Sequence, residues 1–362
     1  MRFIFKTRYE QDIQLFQHSG QVFWYGLLAA VLLVAPLVVS PYVLTQLSQV
    51  GIYTIVAFGL MLLAGFTGQM SLGHAAFLAV GAYTEAVLAI AGVPFFVSMP
   101  ISGLFAAIVG VVIGLPALRV KGLYLGIATL AFGTIVEEVI ARAEHVTGGN
   151  AGLMVPPVKL FGLAFADGPP FYYLCLFMVL CAGLILINLL RSPTGRAFVA
   201  IRDSEISAQS MGVNLAAYKT LSFALSAAFA GVAGALYAHN IRFLSPDQFT
   251  VVQSIELIMM VVIGGLGSVH GAVFGAVFGA AFLISLPQVI NALKPMLPQA
   301  LAEATGLQPT IFGAVLIVVI LFEPLGMYGA WLKLKAYFEL FPFYRKGMFR
   351  RQKTFQKSDR LK

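Results

Sequence analysis

The chain has 362 residues, 59% apolar and only 10% charged, where an ordinary soluble domain carries roughly 25% charged residues. Its 23 Lys/Arg and 15 Asp/Glu cannot clothe a soluble sphere of this size, which excludes a cytosolic globular enzyme, a disordered chain and a nucleic-acid binder with a basic face. What remains is an all-α, polytopic transmembrane bundle, in which the net charge of +8 sets orientation.

No charged residue lies between Asp12 and Glu85, a stretch too long for one span of about 20 residues. The chain must therefore fold back and forth, and the continuous apolar runs show no period of two, so the spans read as helices. Turn residues divide them into about ten: 22–42, 46–66, 73–92, 97–118, 122–141, 171–190, 217–239, 250–266, 270–288 and 308–325. This gives a cytoplasmic segment 1–21, a membrane domain 22–330 and a basic cytoplasmic tail 331–362. With both termini inside, only Arg142, Lys159, Arg242 and Lys294 of the 23 Lys/Arg fall outside, as the positive-inside rule asks. The first span follows a basic N-terminus without a small-residue cleavage pattern and reads as a signal anchor. Cys175 and Cys181 lie six residues apart on one span, off a common helical face, so no disulfide is expected.

Two Gly-rich stretches interrupt apolar runs: G-F-T-G-Q-M-S-L-G-H from Gly65 and G-G-L-G-S-V-H-G from Gly264. Non-helical backbone at membrane depth is tolerated when buried or lining a cavity. Free N–H groups at such helix starts suit a carboxylate; tight packing, as in the four-residue repeat Gly271, Gly275, Gly279, is the other reading. Ser71, His74 and Ser268 are the candidate residues there. Glu85 and Glu256 each fall inside an apolar run, where a carboxylate costs about 2.5–3.5 kcal/mol and usually faces a cavity or a partner. These five residues are the translocation-pathway candidates. Ser71 and His74 also allow an intramembrane hydrolase, although a Ser and a His three apart at a helix start are commonly capping and packing residues.

The external segment 142–170 carries Pro156, Pro157, Pro169 and Pro170, which stiffen it for docking to an external partner or for packing as a lid. The internal segment 191–219 is the longest polar stretch before the tail. Ser192 or Thr194 caps a helix starting near Gly195, and Gly212 and Asn214 stop a second short helix. Such a pair either docks into a partner's groove or forms an ordered solvated loop. The tail interleaves Phe338, Phe341, Phe343, Tyr344 and Phe349 with Lys and Arg, which suits anionic membrane lipid rather than nucleic acid. There is no P-loop, no H-E-x-x-H and no Cys/His cluster at zinc spacing, so no catalytic residue, metal or cofactor is expected in this chain.

Five stretches in order carry a resemblance. They are Gly68–Phe77 (G-Q-M-S-L-G-H-A-A-F), Thr147–Leu153 (T-G-G-N-A-G-L), Gly195–Gly212 (G-R-A-F-V-A-I-R-D-S-E-I-S-A-Q-S-M-G), Val261–Gly271 (V-V-I-G-G-L-G-S-V-H-G) and Phe322–Met327 (F-E-P-L-G-M). Together they resemble the permease subunits of branched-chain amino acid ABC importers, the LivH/LivM family, and its LivM type more closely. His270 and Met327 depart from the family pattern. The resemblance implies a non-catalytic permease of the bacterial inner membrane. Its partners would be a second permease, identical or different, two ATP-binding cassette subunits and a periplasmic substrate-binding protein. It implies that 191–219 is the coupling loop, with Gly195, Arg196, Ala200, Arg202, Asp203, Glu205, Ala208 and Gly212 at the ATPase contact. On this reading the four charges pair with the ATPase, and Ala200, Ala208 and Gly212 permit close approach. Family members also serve urea, short amides and aromatic acids. The competing reading is a stand-alone secondary transporter or channel for a small polar solute.

Overall fold

The computed structural model describes residues 19–117, 122–160, 163–165, 168–273, 275–279, 307–322 and 326–340, with single positions 120 and 282. Segment 1–18, most of the second half of the expected span 270–288 and the tail from 341 lie outside the described residues. Helix α1 is Ser19–Val38 and α2 is Pro41–Leu60, which runs on into a π turn, Met61–Phe66. Then follow α3 (His74–Ile90), α4 (Phe95–Ala117), α5 (Leu123–Arg142) and the single turn α6 (Glu144–Thr147). After the external segment come α7 (Pro169–Arg191), α8 (Pro193–Asp203), α9 (Glu205–Ser210), α10 (Leu215–Ile241) and α11 (Val251–Gly264). The described helices end with α12 (Val269–Gly279), α13 (Leu307–Phe322) and α14 (Gly326–Leu340).

Among the described residues, six helical segments are long and apolar enough to cross a membrane: Pro41–Phe66, Phe95–Pro116, Tyr124–Arg142, Pro169–Arg191, Leu215–Ile241 and Pro246–Gly264. Phe23–Val38, His74–Ile90 and Val269–Gly279 are shorter apolar helices. The expected boundary at 330 falls inside α14, which carries regular helix to Leu340.

Helix α10 is the central pillar: 78% of its most apolar window is buried, against 17% for the peripheral α7. Its small residues make this possible. A Cβ at Gly231 would press on Ala106 Cβ at 2.5 Å and on the Ser102 carbonyl oxygen at 2.8 Å, and one at Gly234 would collide with the backbone of α3 at Leu78. Small residues let backbones approach where lipid offers no hydrophobic drive for helix association. Polar side chains add cross-links inside the bundle: Ser226 Oγ donates to the Gly59 carbonyl (2.6 Å), and Gln69 Nε2 donates to Ser222 Oγ (2.9 Å).

The chain is mostly helical, as expected, and segment 142–170 adds short strand pairs. Leu153–Met154 (β1) pairs antiparallel with Phe243–Leu244 (β4), and Val158–Leu160 (β2) pairs with Leu163–Phe165 (β3). Pro156 and Pro157 cannot continue a helix, so backbone groups there pair across strands. Val155 N donates to the Arg242 carbonyl at 2.8 Å. The segment is thereby packed on the end of α10. Cys175 and Cys181 are both free thiols.

Candidate functional site

The internal segment folds as two short helices, each started by a side-chain cap. Ser192 Oγ accepts from Gly195 N at 3.4 Å, with Pro193 at the first helical position, where a missing N–H costs nothing. Ser204 Oγ accepts from Ser207 N at 3.3 Å and starts α9. Gly212, at φ +85°, reverses the chain. Asn214 does not stop α9 but starts α10, its Oδ1 accepting from Ala217 N at 3.1 Å. Phe198 and Ile201 are buried at 0% and 2% exposure and anchor the segment to the bundle, with Phe198 edge-on to Tyr218.

The four charges expected at the ATPase contact make bonds within the chain. Arg196 Nη1 donates to the Arg191 carbonyl at 3.1 Å. Glu205 forms an ion pair with Lys219 of α10. Arg202 holds Asp203 Oδ1 (2.9 and 3.1 Å) and also donates from Nη1 to the Gly65 carbonyl at 3.1 Å. Ala208 and Gly195 are buried, while Ala200 and Gly212 are exposed. The most exposed apolar side chains of the segment are Ile206 (82%) and Met211 (85%). Sequence reasoning passed over both, because they count as two more apolar residues until the fold turns them outward.

Arg202 sits where the two Gly-rich stretches meet. Gly267 N donates to Met61 Sδ at 3.0 Å, and a Cβ at Gly65 would lie 2.8 Å from Gly267 N. A Cβ at Gly68 would lie 3.2 Å from Arg202 Cγ, and one at Gly267 would lie 3.4 Å from Arg202 Nη1. Gly326 of the last motif closes on Gly265, where a Cβ would be 2.6 Å from the Gly265 nitrogen. Four of the five stretches thus converge on one place, the end of the bundle that carries α8 and α9. Helices α11 and α12 are packed there through Gly264, Gly271, Gly275 and Gly279.

The pathway candidates divide. The N–H groups expected to be free at the first break are taken: Leu72 N donates to Thr129 Oγ1 (2.9 Å) and Ala75 N to Ser254 Oγ (3.0 Å). Ser71 is 1% exposed and its Oγ has no hydrogen-bond partner; His74 is fully buried with Nε2 3.3 Å from Ser226 Oγ. Ser71 and His74 do not bond to each other, so no nucleophile–base pair forms. Ser268 Oγ accepts from Gly271 N at 2.7 Å and caps α12.

Glu85 is fully buried, and both its oxygens are occupied. Oε1 accepts from Ser98 Oγ (2.6 Å) and lies 3.0 Å from His239 Nε2, while Oε2 accepts from Ser102 Oγ at 3.2 Å. His239 Nδ1 lies 3.0 Å from the Pro156 carbonyl. A carbonyl only accepts, so the tautomer that bonds it carries its hydrogen on Nδ1. This network ties α3, α4 and α10 to the external segment. Glu256 is different: it is half-buried on α11, and among the described residues no cation bridges it. Nor does any group of His, Cys, Asp or Glu among the described residues have the arrangement to hold a metal ion.

The sequence that carries these stretches has counterparts in other proteins. The family model for the branched-chain amino acid transport system permease component matches residues 42–322. The chain belongs to this family. It is 37% identical over 301 residues to the high-affinity branched-chain amino acid transport system permease protein LivM of Escherichia coli K12, covering 76% of this chain and 67% of that one. The corresponding protein of Salmonella typhimurium LT2 is 36% identical over the same shares. A probable LivM of Methanocaldococcus jannaschii is 25% identical over 232 residues, 62% of this chain and 66% of its own. No solved structure matches the chain. The permease is thus a multi-pass membrane protein whose matched region includes α8, α9 and both Gly-rich stretches.

Proposed function

We propose that this permease moves branched-chain or related amino acids across the bacterial inner membrane as one subunit of an ABC importer. A second permease, two ATP-binding subunits and a periplasmic binding protein complete the assembly, and this chain holds no cofactor. The observation that carries the reading is the capped pair α8–α9, rooted by Phe198 and Ile201 yet presenting Ile206 and Met211 to solvent. Two exposed apolar side chains on a rigid, charged mount fit the groove of a separate chain. Residues Arg196, Arg202, Asp203 and Glu205 shape and hold this mount, and Ala200 and Gly212 leave room beside it. Movement of α9 passes through Arg202 to Gly65 and from there to α2, α11 and α12, which is a route from ATP-driven closure to a change of access.

The topology that goes with this reading has about ten spans and both termini in the cytoplasm, supported by the excess of Lys/Arg on that side. The external segment, stiffened by its prolines and two strand pairs, then faces the binding protein. Replacing Ile206 and Met211 together by Asp tests the docking surface. The expected result is loss of co-purification with the ATP-binding subunits and of ATP-driven uptake, with the permease still extracted as a folded species. Normal uptake by that variant is incompatible with the proposal.

A further inference from the structure

We infer that Glu256, framed by Tyr53, Tyr237 and Gln253, holds the ammonium group of the substrate in the half of the bundle that carries the external segment. This rests on the amino-acid transport reading above and gives that substrate a contact on this chain. Three helices meet there: α2 past its midpoint (Tyr53), the last turns of α10 (Tyr237) and the first turns of α11 (Gln253 and Glu256). The rings of Tyr53 and Tyr237 lie 6.5 Å apart, and Tyr237 packs edge-on to Phe249 at 5.7 Å. Both tyrosines are more than nine-tenths buried, at 8% and 4% exposure. The side chain of Gln253 lies against both hydroxyls, and the Glu256 carboxylate is close enough to act on both through space.

The chemistry on offer is one-sided. Gln253 is 8% exposed, and its Oε1 is buried without a hydrogen-bond partner. The Tyr53 oxygen already accepts from Gln49 Nε2 at 3.3 Å. A carboxylate, an amide oxygen without a hydrogen-bond partner and two tyrosine rings thus occur together, with no cation among the described residues. An ammonium has three N–H donors and no acceptor and is attracted to aromatic faces, so it satisfies each of these groups at once. A carboxylate there would lie against the like charge of Glu256 in poorly solvated surroundings. Ionisable residues inside spans are expensive and usually serve a pathway. Of the two glutamates within apolar runs, Glu85 is saturated by Ser98, Ser102 and His239, and Glu256 keeps its carboxylate open.

The test uses the complete importer in proteoliposomes, driven by ATP, with a labelled branched-chain amino acid and the binding protein present. Glu256→Gln is expected to lower uptake by about tenfold or more, with complex assembly and basal ATP hydrolysis unchanged, and Glu256→Asp to recover part of it. Tyr53→Phe with Tyr237→Phe keeps both rings and removes two oxygens, and a smaller loss is expected. Wild-type uptake by both Glu256→Gln and Glu256→Leu overturns the inference. Should Glu256→Gln fail to assemble, full uptake by the double tyrosine variant overturns it instead. A wild-type complex that hydrolyses ATP but carries no amino acid overturns the transport reading itself, a separate outcome.

Discussion

Glu85 and Glu256 look alike in the sequence, each a lone carboxylate in an apolar run, yet their surroundings are opposite. Glu85 lies within hydrogen-bond distance of His239 and accepts from two serine hydroxyls, which ties three helices together. Removing one partner of such a buried pair is far more costly than removing both. His239→Leu is therefore expected to destabilise the folded permease by about 3 kcal/mol or more, while Glu85→Leu combined with His239→Leu recovers much of that loss. Thermal unfolding of the purified variants in detergent measures both, and equal melting temperatures for the single and double variants would contradict the pair's role. The coupling charges carry the same lesson. The family resemblance makes Arg202 and Glu205 contacts for a partner. The fold gives each an internal partner first and leaves Ile206 and Met211 as the most exposed apolar side chains of the segment.

Local signals at the level of elements were largely legible. Ser192, with Pro193 after it, announces α8, and Gly212 ends α9, because caps and reversals depend on a few neighbouring residues. Asn214 was misread for the same reason: one residue suits a stop or a start, and only the following helix decides. The external strands were missed because segments of two or three residues have no periodicity to read. Helix α10 gains its place from small residues, so its packing should fail when one grows. Gly231→Leu is expected to force α4 away from α10 and cost about 3 kcal/mol or more, seen as loss of monodisperse protein on size-exclusion chromatography. Gly26→Ala, on α1 with open space around it, changes a glycine without crowding a helix contact, and its yield should stay near wild type.

For the whole molecule, the decisive feature is that Arg202 joins the internal segment to the junction of both Gly-rich stretches. Arg202→Leu removes that link and leaves Ile206 and Met211 in place. It is expected to preserve ATPase association and ATP hydrolysis while uptake falls by about tenfold, the price of losing a charge-assisted hydrogen bond worth roughly 1.5–3 kcal/mol. Parallel hydrolysis and uptake assays on the assembled importer read this, and uptake that stays proportional to hydrolysis would refute it. Composition and charge spacing alone determined that the chain is a helical membrane protein and where most of its apolar helices run. Lipid imposes those features residue by residue, through apolar length and charge placement. Only the tertiary structure decided that the Gly-rich stretches at 65–73 and 264–271 meet over Arg202, that Glu85 is saturated and that Glu256 has no bridging cation among the described residues. Those outcomes depend on which side chains distant helices bring within about 3 Å of one another, and no local pattern in the sequence records such a distance.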